Sequence, residues 1–241
     1  MSTLVFLHGW GMTPSVWHPL INRLHAHESL APALEYPAGS LQDWAASFVE
    51  QLPLDCTLIG WSLGGMLAMQ LAALYPERFR SLVLIASTPC FVAHPGWTCG
   101  LAPETVHAFR RGFERNPGRT LDRFIALQVM GDKAHHTTAL QLRASVADLA
   151  AKASSLAHGL RLLEESDLRG LSLAATQSVL LLHGDADALM PLAAHRWLSR
   201  HWSGSQSCVL PETGHAPFLS KPELVASRIE TFLAERRTEN V

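Results

Sequence analysis

One serine stands in a setting that could make it a nucleophile. Gly60-Trp61-Ser62-Leu63-Gly64 matches G-x-S-x-G, between an apolar run, Thr57–Ile59, and a helix-like stretch, Leu63–Tyr75. A sharp strand-to-helix turn leaves almost no room beside the serine, and Gly60, Gly64 and Gly65 provide positions without side chains there. The helix that follows would aim its positive end at the same place, where an oxyanion could develop. A serine hydroxyl does not ionise at neutral pH, so it needs a base, and the base needs an orienting acid. His215, in Gly214-His215-Ala216-Pro217, follows the late apolar run Cys208–Leu210 and is the candidate base. Asp185 and Asp187 both follow the run Val179–Leu182 and are the candidate acids. An oxyanion would need two backbone N–H donors, one after the nucleophile and one after an early strand, which selects Leu63 and Trp10 of His8-Gly9-Trp10-Gly11. The Trp10 side chain could also line an acyl pocket. Such a set would carry out acyl transfer through a serine-bound intermediate.

The elements that must hold these residues are legible as an alternation. Short apolar runs at Leu4–Leu7, Thr57–Ile59, Leu82–Ile85, Val179–Leu182 and Cys208–Leu210 read as strands, with Ala31–Tyr36 as a weaker sixth. Between them, Pro14–His27, Leu41–Leu52, Leu63–Tyr75, Pro191–His201 and Pro222–Arg236 carry helical periodicity, and Pro14, Pro191 and Pro222 sit where helix-opening prolines belong. The pattern predicts an α/β fold, a mainly parallel sheet flanked by helices. From about His94 to Gly170 the alternation stops and successive helices follow, with Pro103 opening one and Asn116-Pro117 the next. This divides the chain into a core of residues 1–93 and 171–241 and an all-helical cap of residues 94–170. The cap is expected over the carboxyl edge of the sheet, where such folds hold ligands.

Bulk properties narrow the partners. With 241 residues, 48% hydrophobic and 17% charged, the chain can bury one large core. A formal charge of −2 argues against nucleic acid or an anionic membrane as the main partner. No signal peptide is read before Leu4, and no apolar run reaches the roughly 20 residues of a membrane span. The chain therefore reads as soluble, cytoplasmic and monomeric. Cys56, Cys90, Cys99 and Cys208 show neither a CxxC pair nor metal spacing, so free thiols are expected. His135-His136 and His25-x-His27 lack a third ligand, and no metal or cofactor is expected.

The strand–elbow–helix context resembles the α/β-hydrolase fold, whose members run serine, then acid, then histidine along the chain. The loop from Gly184 to Pro191 resembles that family's G-x-x-D pattern, which selects Asp187 as the acid and leaves Asp185 to cap or brace the loop. The likeness is closer than this superfamily. His8-Gly9-Trp10-Gly11, Gly60 to Gly65, Ala86-Ser87-Thr88-Pro89-Cys90-Phe91, Arg123 to Gln128 and Gly214 to Phe218 together resemble the pimeloyl-[acyl-carrier protein] methyl ester esterases of biotin synthesis.

That resemblance implies hydrolysis of a methyl ester at the far end of a carrier-bound pimeloyl chain. It implies substrate contacts by Trp10, Ser62, Leu63, Phe124, Ile125, Ala126, Leu127, Gln128 and His215. The carrier protein is acidic, and Arg110 to Arg143 hold seven Lys or Arg against three acids, a local charge of +4 beside −6 for the rest. Arg119, Arg123 and Arg143 are the docking candidates. Where further cap arginines are expected, this chain has His135, His136 and Leu140. The N-terminal edge strands usual in the family are expected to be missing. A broad short-chain carboxylesterase would use the same triad, and a catalytically silent binding module is the reading from another class. The intact serine, acid and histidine argue against the latter.

Overall fold

The computed structural model describes residues 3–239. Six strands form one sheet: β1 Thr3–Leu7, β2 Ser29–Leu30, β3 Cys56–Trp61, β4 Ser81–Ile85, β5 Ser178–Gly184 and β6 Gln206–Leu210. All neighbours are parallel, in the order β2-β1-β3-β4-β5-β6. The first strand among the described residues is β1, so no edge strand precedes it there.

Helices fill the connections: α1 His18–Ile21, α2 Leu41–Phe48, α3 Leu63–Leu74, α4 Pro103–Arg115, α5 Pro117–Gln128, α6 His135–Ala144, α7 Leu149–Glu165, α8 Leu192–His201, α9 Pro217–Ser220 and α10 Pro222–Glu239. The side-chain period of two along a strand explains the layers. Val5, Leu7, Leu58, Leu82, Leu84 and Leu181 bury one face with α2 and α3, while Leu4, Phe6, Ile59, Val83, Ile85 and Leu182 bury the other with α9 and α10. Helix α3 is apolar almost all round, as a helix enclosed by the core must be.

Two expectations are corrected. Pro14–His27 is not one helix: a single 3-10 turn, Pro14–Trp17, hands over to the one-turn α1. Pro19 has no N–H and cannot sit inside a continuing helix, so it falls in the opening turn of α1. The strand expected at Ala31–Tyr36 lies earlier, at Ser29–Leu30. Beyond Leu30 the backbone donors leave the ladder: the Leu34 N–H goes to His8 Nε2 and the Tyr36 N–H to Ser155 Oγ.

Helices α4 to α7 lie between β4 and β5 and meet the loops at the carboxyl ends of the strands. Trp10 Nε1, after β1, donates to the Leu156 carbonyl of α7 at 2.8 Å. The His215 N–H, after β6, donates to the Gln128 carbonyl of α5 at 2.8 Å.

Candidate active site

Ser62 sits at the junction of β3 and α3 with φ 57° and ψ −120°, a conformation that costs a non-glycine residue energy and is held by its surroundings. Its N–H donates to the Ile85 carbonyl, and its own carbonyl accepts from Gly65 N–H, Met66 N–H and Ser87 Oγ. The turn is tight because α3 begins against β1. A Cβ on Gly64 would stand 2.1 Å from the Leu7 carbonyl oxygen, so only glycine fits. Leu63 is the first residue of α3, and its N–H is one of the helix donors without an intrahelical acceptor.

Beside the serine runs the His8–Gly11 loop; a Cβ on Gly9 would lie 3.3 Å from Ser62 Cβ. Two buried side chains pin this loop. His8 and Tyr36 both bond the Gly9 carbonyl, at 2.9 Å and 3.2 Å. His8 Nε2 accepts from Leu34 N–H, which assigns the proton to Nδ1, and burial lowers its pKa to about 4, keeping the ring neutral. Burial pushes the Tyr36 hydroxyl up, so it stays a donor.

Asp187 and His215 form a buried pair, with His215 Nδ1 donating to Asp187 Oδ2 at 2.7 Å. Asp187 Oδ1 accepts from the Leu189 and Met190 N–H groups, both at 2.9 Å. Burial by itself would raise this carboxyl, but the charge and hydrogen bond of His215, with His183 and the Met190 N–H, outweigh it and hold the group below the usual carboxylate range. Asp185 lies outside this pair; its Oδ1 accepts from Thr213 N–H at 3.3 Å. His215 Nε2 is buried with no hydrogen-bond partner, and no bond joins it to the Ser62 hydroxyl in this structure. His215 is tied to the Ser62 turn by Trp61, which precedes Ser62 and donates from Nε1 to the His215 carbonyl at 2.8 Å.

An apolar cavity opens beside Trp10 and the Asp187 loop. Trp10, Phe109, Phe124, Leu127, Leu160 and Leu189 line it, and its charged groups are Arg110 and Glu164, paired at 3.2 Å. Trp10 packs edge-on against Phe109, Phe113 and Phe124. Of the stretch Phe124 to Gln128, Phe124 and Leu127 face this cavity. Ile125 is buried in a separate apolar cluster with Met12, Val129 and Leu142, Ala126 is exposed, and Gln128 contributes its carbonyl to His215. Arg119 and Arg123 are exposed on α5; Arg143 is exposed on α6, 3.9 Å from Asp122. A groove containing Arg123 shares Thr105, Phe109 and Leu127 with the cavity.

His183, Tyr36 and Asp132 carry no motif, yet they buttress the site. His183 is fully buried, bonds the Met190 carbonyl at 2.7 Å and lies 3.6 Å from Asp187 Oδ2. Outside the site, donor atoms of Cys90, His94 and Asp167 lie within 4.8 Å of one another. A cation's place among them is taken by the Arg169 guanidinium, which bonds Asp167 and His94. All four cysteines are free.

The elbow, the acid after β5 and the histidine after β6 are the arrangement of an α/β-hydrolase, and residues 4–228 match the model of the alpha/beta hydrolase family. The chain belongs to that family and, within it, to the pimeloyl-[acyl-carrier protein] methyl ester esterases. A protein of that name from Aromatoleum aromaticum is 41% identical over 240 residues, covering 94% of this chain and 96% of its own. Another from Yersinia enterocolitica is 35% identical, with 98% and 94% covered. Among solved structures, an esterase from Exiguobacterium antarcticum superposes with a TM-score of 0.82 at 19% identity, covering 97% of this chain and 92% of its own. That likeness concerns the fold.

Proposed function

We propose that this enzyme hydrolyses the methyl ester of a pimeloyl chain carried on acyl carrier protein, releasing methanol and the free carboxylate for biotin synthesis. The observation that carries the chemistry is the buried Asp187–His215 pair, with the outer His215 nitrogen unpartnered and the His215 carbonyl bonded to Trp61, the neighbour of a strained Ser62. On this reading, Ser62 Oγ attacks the ester carbonyl while His215 Nε2 takes its proton. The N–H groups of Leu63 and Trp10 hold the oxyanion, and methanol leaves with the proton. Water then attacks the acyl-enzyme, with His215 again as base, and the carboxylate departs. Asp187 fixes the imidazole tautomer and stabilises the imidazolium.

The substrate assignment draws on relatives of that name matching almost end to end, and on the character of the cavity. A polymethylene chain suits its aliphatic and aromatic wall, where Phe124 and Leu127 would touch it. Residues 94–170 act as the cap on a core of residues 1–93 and 171–241, and the groove at Arg123 leads the carrier arm out toward Arg119 and Arg143. No helix among the described residues is long and apolar enough to cross a membrane. We assign a cytoplasmic monomer that needs no cofactor and whose macromolecular partner is the acidic carrier, with neither nucleic acid nor a membrane involved. The test is growth of a biotin auxotroph lacking its methyl ester esterase. Wild-type protein should restore growth and Ser62→Ala should not. Failure of wild type that still hydrolyses small esters would make this a general carboxylesterase.

A further inference from the structure

The turn between α5 and α6 touches both loops that carry the acid and the base. Gln128 accepts the His215 N–H at 2.8 Å, and the Lys133 N–H donates to the Glu212 carbonyl at 3.0 Å. A Cβ on Gly131 would lie 2.7 Å from Ala186 Cβ, so the turn also abuts the acid's loop. At its centre stands Asp132, only 4% exposed. Its Oδ1 accepts from Ala134 N–H at 2.7 Å, and its Oδ2 reaches across to Gly214 N–H, next to His215, at 3.0 Å.

A buried carboxylate is costly to desolvate and persists where its oxygens are well satisfied. Fastening the turn before α6 needs one acceptor, and the second oxygen goes to the base's loop. We propose that Asp132 is a positioning residue for His215: it locks residues 214–215 against the helical insertion, so that the ring stays aligned with Asp187 and Ser62. The insertion and the base then move as one unit. This inference rests on the assignment of His215 as base.

The test uses the full-length enzyme and p-nitrophenyl acetate, so that carrier docking plays no part. Asp132→Ala should lower kcat by about 10- to 100-fold with KM within about twofold, as expected for a misaligned catalytic group. The downfield proton resonance of His215 Nδ1–H should shift or broaden. Asp132→Asn offers one oxygen for two N–H groups and should lose about 3- to 10-fold. Unchanged kcat in folded Asp132→Ala, or a rise in KM alone, would overturn the proposal. If Asp132→Ala does not fold, unchanged kcat in Asp132→Asn overturns it. His215→Ala separates the two readings: activity surviving there refutes the base assignment. An inactive His215→Ala beside fully active Asp132 variants refutes only the positioning role.

Discussion

Each oxygen of Asp187 has its own task, since Oδ1 takes two backbone N–H groups and Oδ2 takes His215. An amide has one acceptor oxygen, so Asp187→Asn cannot serve both and also loses the charge opposite the imidazolium. We expect kcat to fall by about 10³- to 10⁴-fold, measured on a p-nitrophenyl ester near pH 7.5. A loss under about tenfold would remove Asp187 from the mechanism. A fluorophosphonate probe should label wild type and leave Ser62→Ala unlabelled; equal labelling would refute Ser62 as nucleophile. The serine was legible because its requirements are local, with glycines within three residues and a strand and a helix on either side. Asp132 was not, because its partner Gly214 is 82 residues away and one aspartate in a helix–helix turn carries no pattern. Tyr36 and His183 escaped for the same reason, since burial and tertiary hydrogen bonds, not spacing, give them their places.

At the scale of elements, the sheet does the positioning by ending three of its parallel strands at one edge. β3 delivers Ser62, β5 delivers Asp187 and β6 delivers His215, with β5 and β6 in direct register from Leu180 opposite Gln206 to Gly184 opposite Leu210. Gly184 is where the Asp187 and His215 loops pass, and a Cβ there would lie 2.2 Å from the carbonyl oxygens of both Thr213 and Gly214. Both contacts are backbone, so neither can rotate away. Gly184→Ala should therefore lose about 2–4 kcal/mol of stability in urea unfolding and most of the activity with it; a variant of unchanged midpoint and kcat would contradict this geometry. Apolar runs made β1, β3, β4, β5 and β6 legible because strands covered on both faces leave continuous hydrophobic sequence. The short β2 was misplaced because Ala31 to Tyr36 is also largely apolar, but Pro32 has no N–H and the Leu34 and Tyr36 N–H groups go to side chains. Pro14–His27 misled because its apolar residues are spaced like a helix, while Pro19 interrupts it.

At the scale of the whole molecule, several histidines are buried in neutral form. Burial lowers His8 and His195 to about 4 and also lowers His183. Unfolded, His8 and His195 take up a proton near pH 6.5, so for these two the unfolded state binds more protons between about pH 4 and 6.5, and the lowered His183 adds to the loss in the same direction. Stability is therefore full above that window and falls as pH drops through it, by up to about 1.4 kcal/mol per pH unit for each of His8 and His195. Urea midpoints from pH 7.5 to 5 should decline below about 6.5, and a flat profile would contradict burial of neutral imidazoles. Charge is also unevenly spread, with +4 between Arg110 and Arg143 and −6 elsewhere. Sequence alone displayed this asymmetry; that Arg123 lies in a groove sharing walls with the apolar cavity required the fold. The most direct test of the substrate assignment compares kcat/KM for pimeloyl-carrier methyl ester with that for a short p-nitrophenyl ester, in wild type and in Arg119→Glu/Arg123→Glu. The expected result is a preference for the carrier-bound ester that the double variant loses by at least about tenfold while short-ester hydrolysis stays within about twofold. Equal rates on both substrates in wild type, or equal losses in the variant, would contradict it.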